Sequence, residues 1–125
     1  MTPIEEQFEI LRSSEAEAER QKLPDGSHLI IVPSVALPNG WSKPAVHVRF
    51  LAPVGYPFGK PDCFWTDGDL RLASGNPPMN TGNNPIPHVG GGFLWFSWHV
   101  ASWDSNVDSL LTYFFVIKRR LCDPR

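Results

Sequence analysis

The stretch Trp95-Phe96-Ser97-Trp98-His99 carries the residues best suited to chemistry. In an extended backbone, alternate side chains point to opposite sides, so Trp95, Ser97 and His99 share one side and Phe96, Trp98 and Val100 the other. A serine hydroxyl is a weak nucleophile until a base takes its proton. An imidazole is the commonest such base. The same pair also reads as a small packing residue beside a hydrogen-bonded turn histidine. Hydrolysis by the pair would need an orienting acid, for which Asp104 is the nearby candidate.

Other chemistries find less support. The metal-capable residues are Cys63, Cys122, His28, His47, His88 and His99, but they form no C-x2-C or H-x3-H pair, so no zinc site is expected. No P-loop, dinucleotide-binding glycine pattern or G-x-S-x-G elbow occurs. Cys63 lies in an apolar run, where a free thiol acts as a small core side chain. Cys122 falls in the last turn of a predicted helix, whose negative end disfavours a thiolate.

The elements that must position Ser97 and His99 begin with a helix expected from about Pro3 to Lys22. Thr2 can cap it, Pro3 suits its first turn, and Ile4, Phe8 and Leu11 form an apolar stripe. Pro24-Asp25-Gly26 and Pro38-Asn39-Gly40 mark turns. Strands are expected at His28–Pro33, Ala45–Leu51 and Asp62–Thr66, with a short fourth at Leu70–Leu72. From Ala73 to Gly92 prolines and glycines break all periodicity, and an ordered loop of that length is more often functional than not. A second helix follows, with Ser105 and Asp108 as its capping pair and Val107, Leu110, Leu111, Phe114, Ile117 and Leu121 on one face. The basic run Lys118-Arg119-Arg120 suits its negative end.

The chain has 125 residues, 42% hydrophobic and 19% charged, which fits one folded domain over residues 1–125. A formal charge of −2 and a pI near 6.0 leave no basic excess for nucleic acid. The N-terminus lacks the apolar segment of a signal peptide, and no apolar run approaches a membrane span of roughly 20 residues. A cytoplasmic protein with no membrane or nucleic-acid partner and no cofactor is the expectation.

The segment Tyr56-Pro57-Phe58-Gly59-Lys60-Pro61-Asp62-Cys63-Phe64-Trp65-Thr66 resembles the Tyr-Pro-Phe-x-x-Pro-x-x-x-Phe-x-Thr segment of ubiquitin-conjugating enzymes. Downstream, the long loop Met79–Pro87, the glycines Gly90–Gly92, the aromatic turn Phe93–His99, the Trp103-Asp104-Ser105 triplet and the apolar helix follow in that family's order. The resemblance runs from about Ile4 to Leu121 and is nearest the bacterial ubiquitin-conjugating-like proteins. It implies an α+β fold with an N-terminal helix, an antiparallel meander of about four strands, a long active-site loop and a C-terminal helix. It does not imply the further helices of the eukaryotic enzymes.

The resemblance also implies partners and a site. The bacterial family is associated with activating enzymes, ubiquitin-like modifiers and JAB-type peptidases. Its catalytic cysteine lies shortly before the Trp-x-Ser, but no cysteine stands between Cys63 and Cys122. By count from Trp103 that position falls near Trp95; with a short deletion it falls on Ser97. The family's His-Pro-Asn stretch has only Asn83-Asn84-Pro85 and His88-Val89-Gly90 as counterparts. This makes Asn83 or Asn84 the candidate oxyanion donor and His88 an alternative base to His99. Two readings follow: an acyl carrier that accepts a modifier's C-terminus as an oxyester on Ser97, or a catalytically inactive variant that binds a modifier or partner protein. The acidic first helix, with Glu5, Glu6, Glu9, Glu15, Glu17 and Glu19 against Arg12, Arg20 and Lys22, would ask for a basic surface on an activating enzyme.

Overall fold

A computed structural model describes residues 2–125. Its elements, in chain order, are α1 (Pro3–Ser14), β1 (Glu19–Lys22), β2 (His28–Ala36), β3 (Ala45–Ala52), β4 (Phe64–Asp67), β5 (Thr81–Gly82), β6 (Phe93–Phe96) and α2 (Leu110–Leu121). The strands form one antiparallel sheet in the order β1-β2-β3-β4-β6-β5. No helix among the described residues is long and apolar enough to cross a membrane.

Thr2 caps α1 by accepting the Glu5 N–H, with Pro3 in the first turn. The helix stops at Ser14, well short of Lys22. Its apolar stripe ends at Leu11, so a longer helix would bury nothing further. The chain instead turns at Ala16-Glu17, and Glu19–Lys22 pairs with His28–Ile31 across the Pro24–Gly26 turn. All four β1 side chains are exposed, so backbone pairing rather than burial holds this strand. Glu15, the C-cap, and Glu17 and Glu19 therefore lie outside the helix, and its acidic face is smaller than the sequence implies.

β2 runs past Pro33 to Ala36 because a bulge between Val32 and Val35 absorbs the proline. Ser34 takes a left-handed φ of 55° there and donates its N–H to His47 Nδ1. Leu70–Leu72 is not a strand. Gly68 turns the chain sharply at the end of β4, where a β-carbon would lie 2.2 Å from the Gly92 carbonyl oxygen. Only an isolated bridge from Leu72 to Trp41 survives.

One sheet face packs on both helices. Val48, Phe50, Phe64 and Phe96 meet Phe8 and Leu11 of α1 and Leu110, Tyr113, Phe114 and Ile117 of α2. The other face buries Leu29 and Trp65 beneath Leu23 and Ile86. Ile86 arrives on the excursion between β5 and β6, which thus roofs the second face. α2 begins at Leu110, four residues later than the Ser105 reading. Ser109 and Thr112 form the capping box, each side chain accepting the other's N–H. Asp108 is used earlier, accepting the Asp104 N–H. Val107 lies outside the helix and is exposed.

Arg120 departs most from the sequence reading, which gave it to the helix dipole. It is only 2% exposed and lies over Phe96, Trp98 and Trp41 at 5.3–5.8 Å. Its guanidinium donates to the carbonyls of Met79, Asp123 and Arg125. Burial lowers its pKa, but three carbonyl dipoles and three aromatic faces keep the charge supported. Arg120 thereby fastens the start of the long loop to the end of α2. Arg120→Ala should cost about 2–4 kcal/mol in urea unfolding, from hydrogen bonds to a charged group left unmade.

Asp67 ends β4 and accepts the His47 N–H, Lys43 Nζ and Arg49 Nη1. Burial works to raise its pKa, but these donors outweigh it and hold the carboxyl below its usual value. The carboxylate thus contributes stability that is present above the ordinary carboxylate range and is lost as pH falls through the lowered folded value. Asp67→Asn should destabilise the fold by about 1–3 kcal/mol at neutral pH. The gap from wild type, followed by urea unfolding against pH, should shrink in acid.

Candidate active site

Beyond Phe96 the chain stays extended and paired. Ser97 donates its N–H to the Asn80 carbonyl at 2.7 Å, and the Trp98 carbonyl accepts the Cys63 N–H at 3.1 Å. Trp98 packs on the helix side of the sheet against the main core. The Ser97 and His99 side chains approach one another, as the alternation expected from sequence requires. Ser97 is half-buried and His99 exposed.

Ser97 Oγ lies 3.5 Å from His99 Nε2. That is the outer limit of a hydrogen bond, and such pairs often tighten only when substrate binds. His99 Nδ1 lies 2.5 Å from Asp62 Oδ1. A carboxylate on Nδ1 holds the proton there and leaves Nε2 as an acceptor facing the hydroxyl. Asp62, His99 and Ser97 therefore line up in the order that a carboxylate, an imidazole and a hydroxyl take in a nucleophile-activating triad.

The sequence reading missed Asp62, which it treated as a strand residue, and pointed to Asp104. Asp104 instead closes its own turn, accepting the Asn106 N–H. Asp62 precedes β4, and the Phe64–Phe96 pairing sets it across from the residues that follow β6. Its aim depends on Cys63, whose φ of +60° is rare for a residue with a side chain. Two bonds hold that conformation: the Cys63 N–H to Trp98, and the Cys63 carbonyl accepting the Tyr113 hydroxyl at 2.8 Å. The signal lay in strand register, which no local spacing reveals.

The remaining sequence candidates are placed elsewhere. Asn83 lines a shallow cleft with Gly68 and Phe93, at the far end of β6 from Ser97. Asn84 offers its carbonyl to Trp65 Nε1 on the roofed face. His88 lies 3.8 Å from Asp25 in the β1–β2 turn. None of the three joins Ser97, because the excursion carrying them is held at Phe93, Trp65 and Asp25, away from the Ser97 end of β6. Asn80, two residues before Gly82, is the asparagine beside Ser97, through its backbone carbonyl.

Both cysteines are free thiols. Cys63 is not inside a strand but just ahead of β4, and burial pushes its thiol pKa up. That disfavours it as a thiolate nucleophile at neutral pH. Beside His99 a cleft of about 410 Å³ opens between Trp98–Ser102 and the Val116–Arg120 end of α2.

The Tyr-Pro-Phe segment braces the site from behind. Trp103 donates its indole N–H to the Pro57 carbonyl at 2.8 Å, and its ring meets Tyr56 at 6.0 Å. The Tyr56 hydroxyl donates to Gln7 Oε1 on α1, and the same oxygen accepts the Leu110 N–H at the start of α2. One buckle thus joins α1, the approach to Asp62, the exit from His99 and α2.

This arrangement of helix, antiparallel sheet, braced loop and crossing helix matches a known family. The family model described as prokaryotic E2 family E covers residues 4–123. No curated protein and no solved structure matches the chain significantly. The chain belongs to prokaryotic E2 family E, which ties it in general terms to E2-like conjugation of a modifier delivered by an activating enzyme.

Proposed function

We propose that the protein is an acyl carrier whose nucleophile is Ser97. The observation that carries this reading is the Asp62–His99–Ser97 line, with spacings of 2.5 and 3.5 Å. Ser97 Oγ attacks the modifier's C-terminal carbonyl carbon, held on the activating enzyme, as His99 Nε2 takes the hydroxyl proton. The bond from that carbon to the activating enzyme breaks, and the leaving atom receives the proton from His99. The product is an oxyester on Ser97.

In the second step an amine attacks the oxyester carbon. The carbon–Oγ bond breaks and His99 mediates return of a proton to Ser97. An oxyester is less reactive toward amines than a thioester, so general-acid help to the leaving alkoxide matters more here than for a thiolate. With water as acceptor, the same residues would release the modifier. The cleft beside His99 offers a place for the modifier's extended C-terminal residues, walled by α2.

Incubation with activating enzyme, modifier and ATP should give an adduct that survives thiol reductant and is cleaved by hydroxylamine. Ser97→Ala should abolish it. His99→Ala should slow its formation by about 10²–10⁴-fold. Asp62→Ala should slow it less, since Asp62 acts only through His99. An adduct that persists in Ser97→Ala, or disappears only in Cys63→Ala, would overturn the assignment. Modifier binding with no adduct under any condition would establish the binding-module reading instead.

A further inference from the structure

Neighbouring residues of an extended chain point to opposite sides. Asp62 and Cys63 do not follow that rule, because the left-handed backbone at Cys63 breaks the alternation. As a result a carboxylate oxygen of Asp62, the Cys63 sulfur and an imidazole nitrogen of His99 all lie within 4.8 Å of one another. No sequence spacing announces this set, since His99 is brought in only by the pairing of the approach to β4 with the exit from β6.

We propose that Asp62, Cys63 and His99 form a site for a divalent transition metal of the zinc class, and that filling it switches Ser97 off. Zinc bonds of about 2.0–2.3 Å to N, O and S place tetrahedral neighbours roughly 3.3–3.8 Å apart. The three atoms need to adjust by about 1 Å, with the Asp62–His99 contact opening. The Asp62 and His99 side chains are 50% and 57% exposed, so they have room to move and an ion has a route in. Cys63 is anchored at both its N–H and its carbonyl and supplies the fixed corner.

The donor set decides the metal class. A thiolate with an imidazole and a carboxylate suits zinc and its neighbours, and excludes calcium and magnesium, which take oxygen ligands. Three protein ligands leave a fourth position for water. Binding displaces the thiol proton to solvent, because a coordinated sulfur is deprotonated.

The consequence for Ser97 follows from imidazole chemistry. If Nε2 ligates, it is no longer available to the hydroxyl. If Nδ1 ligates, the ring's remaining proton must sit on Nε2, which then donates and cannot accept. Either way the base is lost. This consequence rests on the acyl-carrier reading; the metal site itself does not, and its test uses no modifier or activating enzyme.

The test is titration of the purified, reduced protein with Co²⁺, followed by Zn²⁺. One cobalt per chain should bind with a sulfur-to-cobalt charge-transfer band, and Zn²⁺ should displace it. Cys63→Ala should lose the band and Cys122→Ser should keep it. His99→Gln, at an exposed position where folding is not at risk, should weaken binding by roughly tenfold or more. Absence of the band in the wild type, its retention in Cys63→Ala, or undiminished affinity in His99→Gln would overturn the proposal.

Discussion

The pairing of the Phe64 and Phe96 strands is the constraint on which the rest depends. Their rings stack at 4.5 Å and 10° within the main core, and their backbones fix the register of β4 against β6. A shift of one residue would turn every side chain to the other face. Phe64, Leu94 and Phe96 would then leave the core, so burial locks the register. The same register carries past the strand ends, where the Cys63 N–H meets the Trp98 carbonyl. Hydrophobic packing of the two strands thereby aligns Asp62 with His99 beyond their ends.

The two helices serve that alignment indirectly. Tyr113 of α2 reaches through to the Cys63 carbonyl and stabilises its left-handed backbone. Arg120, buried among Trp41, Phe96 and Trp98, binds the Met79 carbonyl and so sets where the loop rises toward Asn80 and Ser97. Gln7 of α1 receives both the Tyr56 hydroxyl and the Leu110 N–H, closing the frame on the outside. Local strain at Cys63 persists because surrounding contacts over-determine it, as is common at functional sites.

Much of this was legible in the sequence where a local signal existed. The alternation of β3, the Thr2 cap, the apolar face of α2 and the shared side of Ser97 and His99 all follow from periodicity and propensity. The Tyr-Pro-Phe segment pointed to the fold. What escaped was non-local. β1 has no buried side chain and exists only because β2 offers an edge, so Glu19–Lys22 carried no strand pattern. Arg120 reads as a surface cation until three carbonyls converge on it. Asp62 joined the candidate site through register, and Asn83, Asn84 and His88 lie away from it because the loop carrying them runs over Trp65 toward the β1–β2 turn. Sequence order placed those residues near Ser97; the path of the chain did not.

In the proposed reaction Ser97, not a cysteine, bears the modifier. This assignment is tested most directly by trapping the adduct formed with activating enzyme, modifier and ATP, digesting it, and mapping the modified residue by mass spectrometry. The expected product is the modifier's C-terminal residue esterified to Ser97. Attachment to Cys63, or to any residue outside the Asp62–His99–Ser97 line, would contradict it.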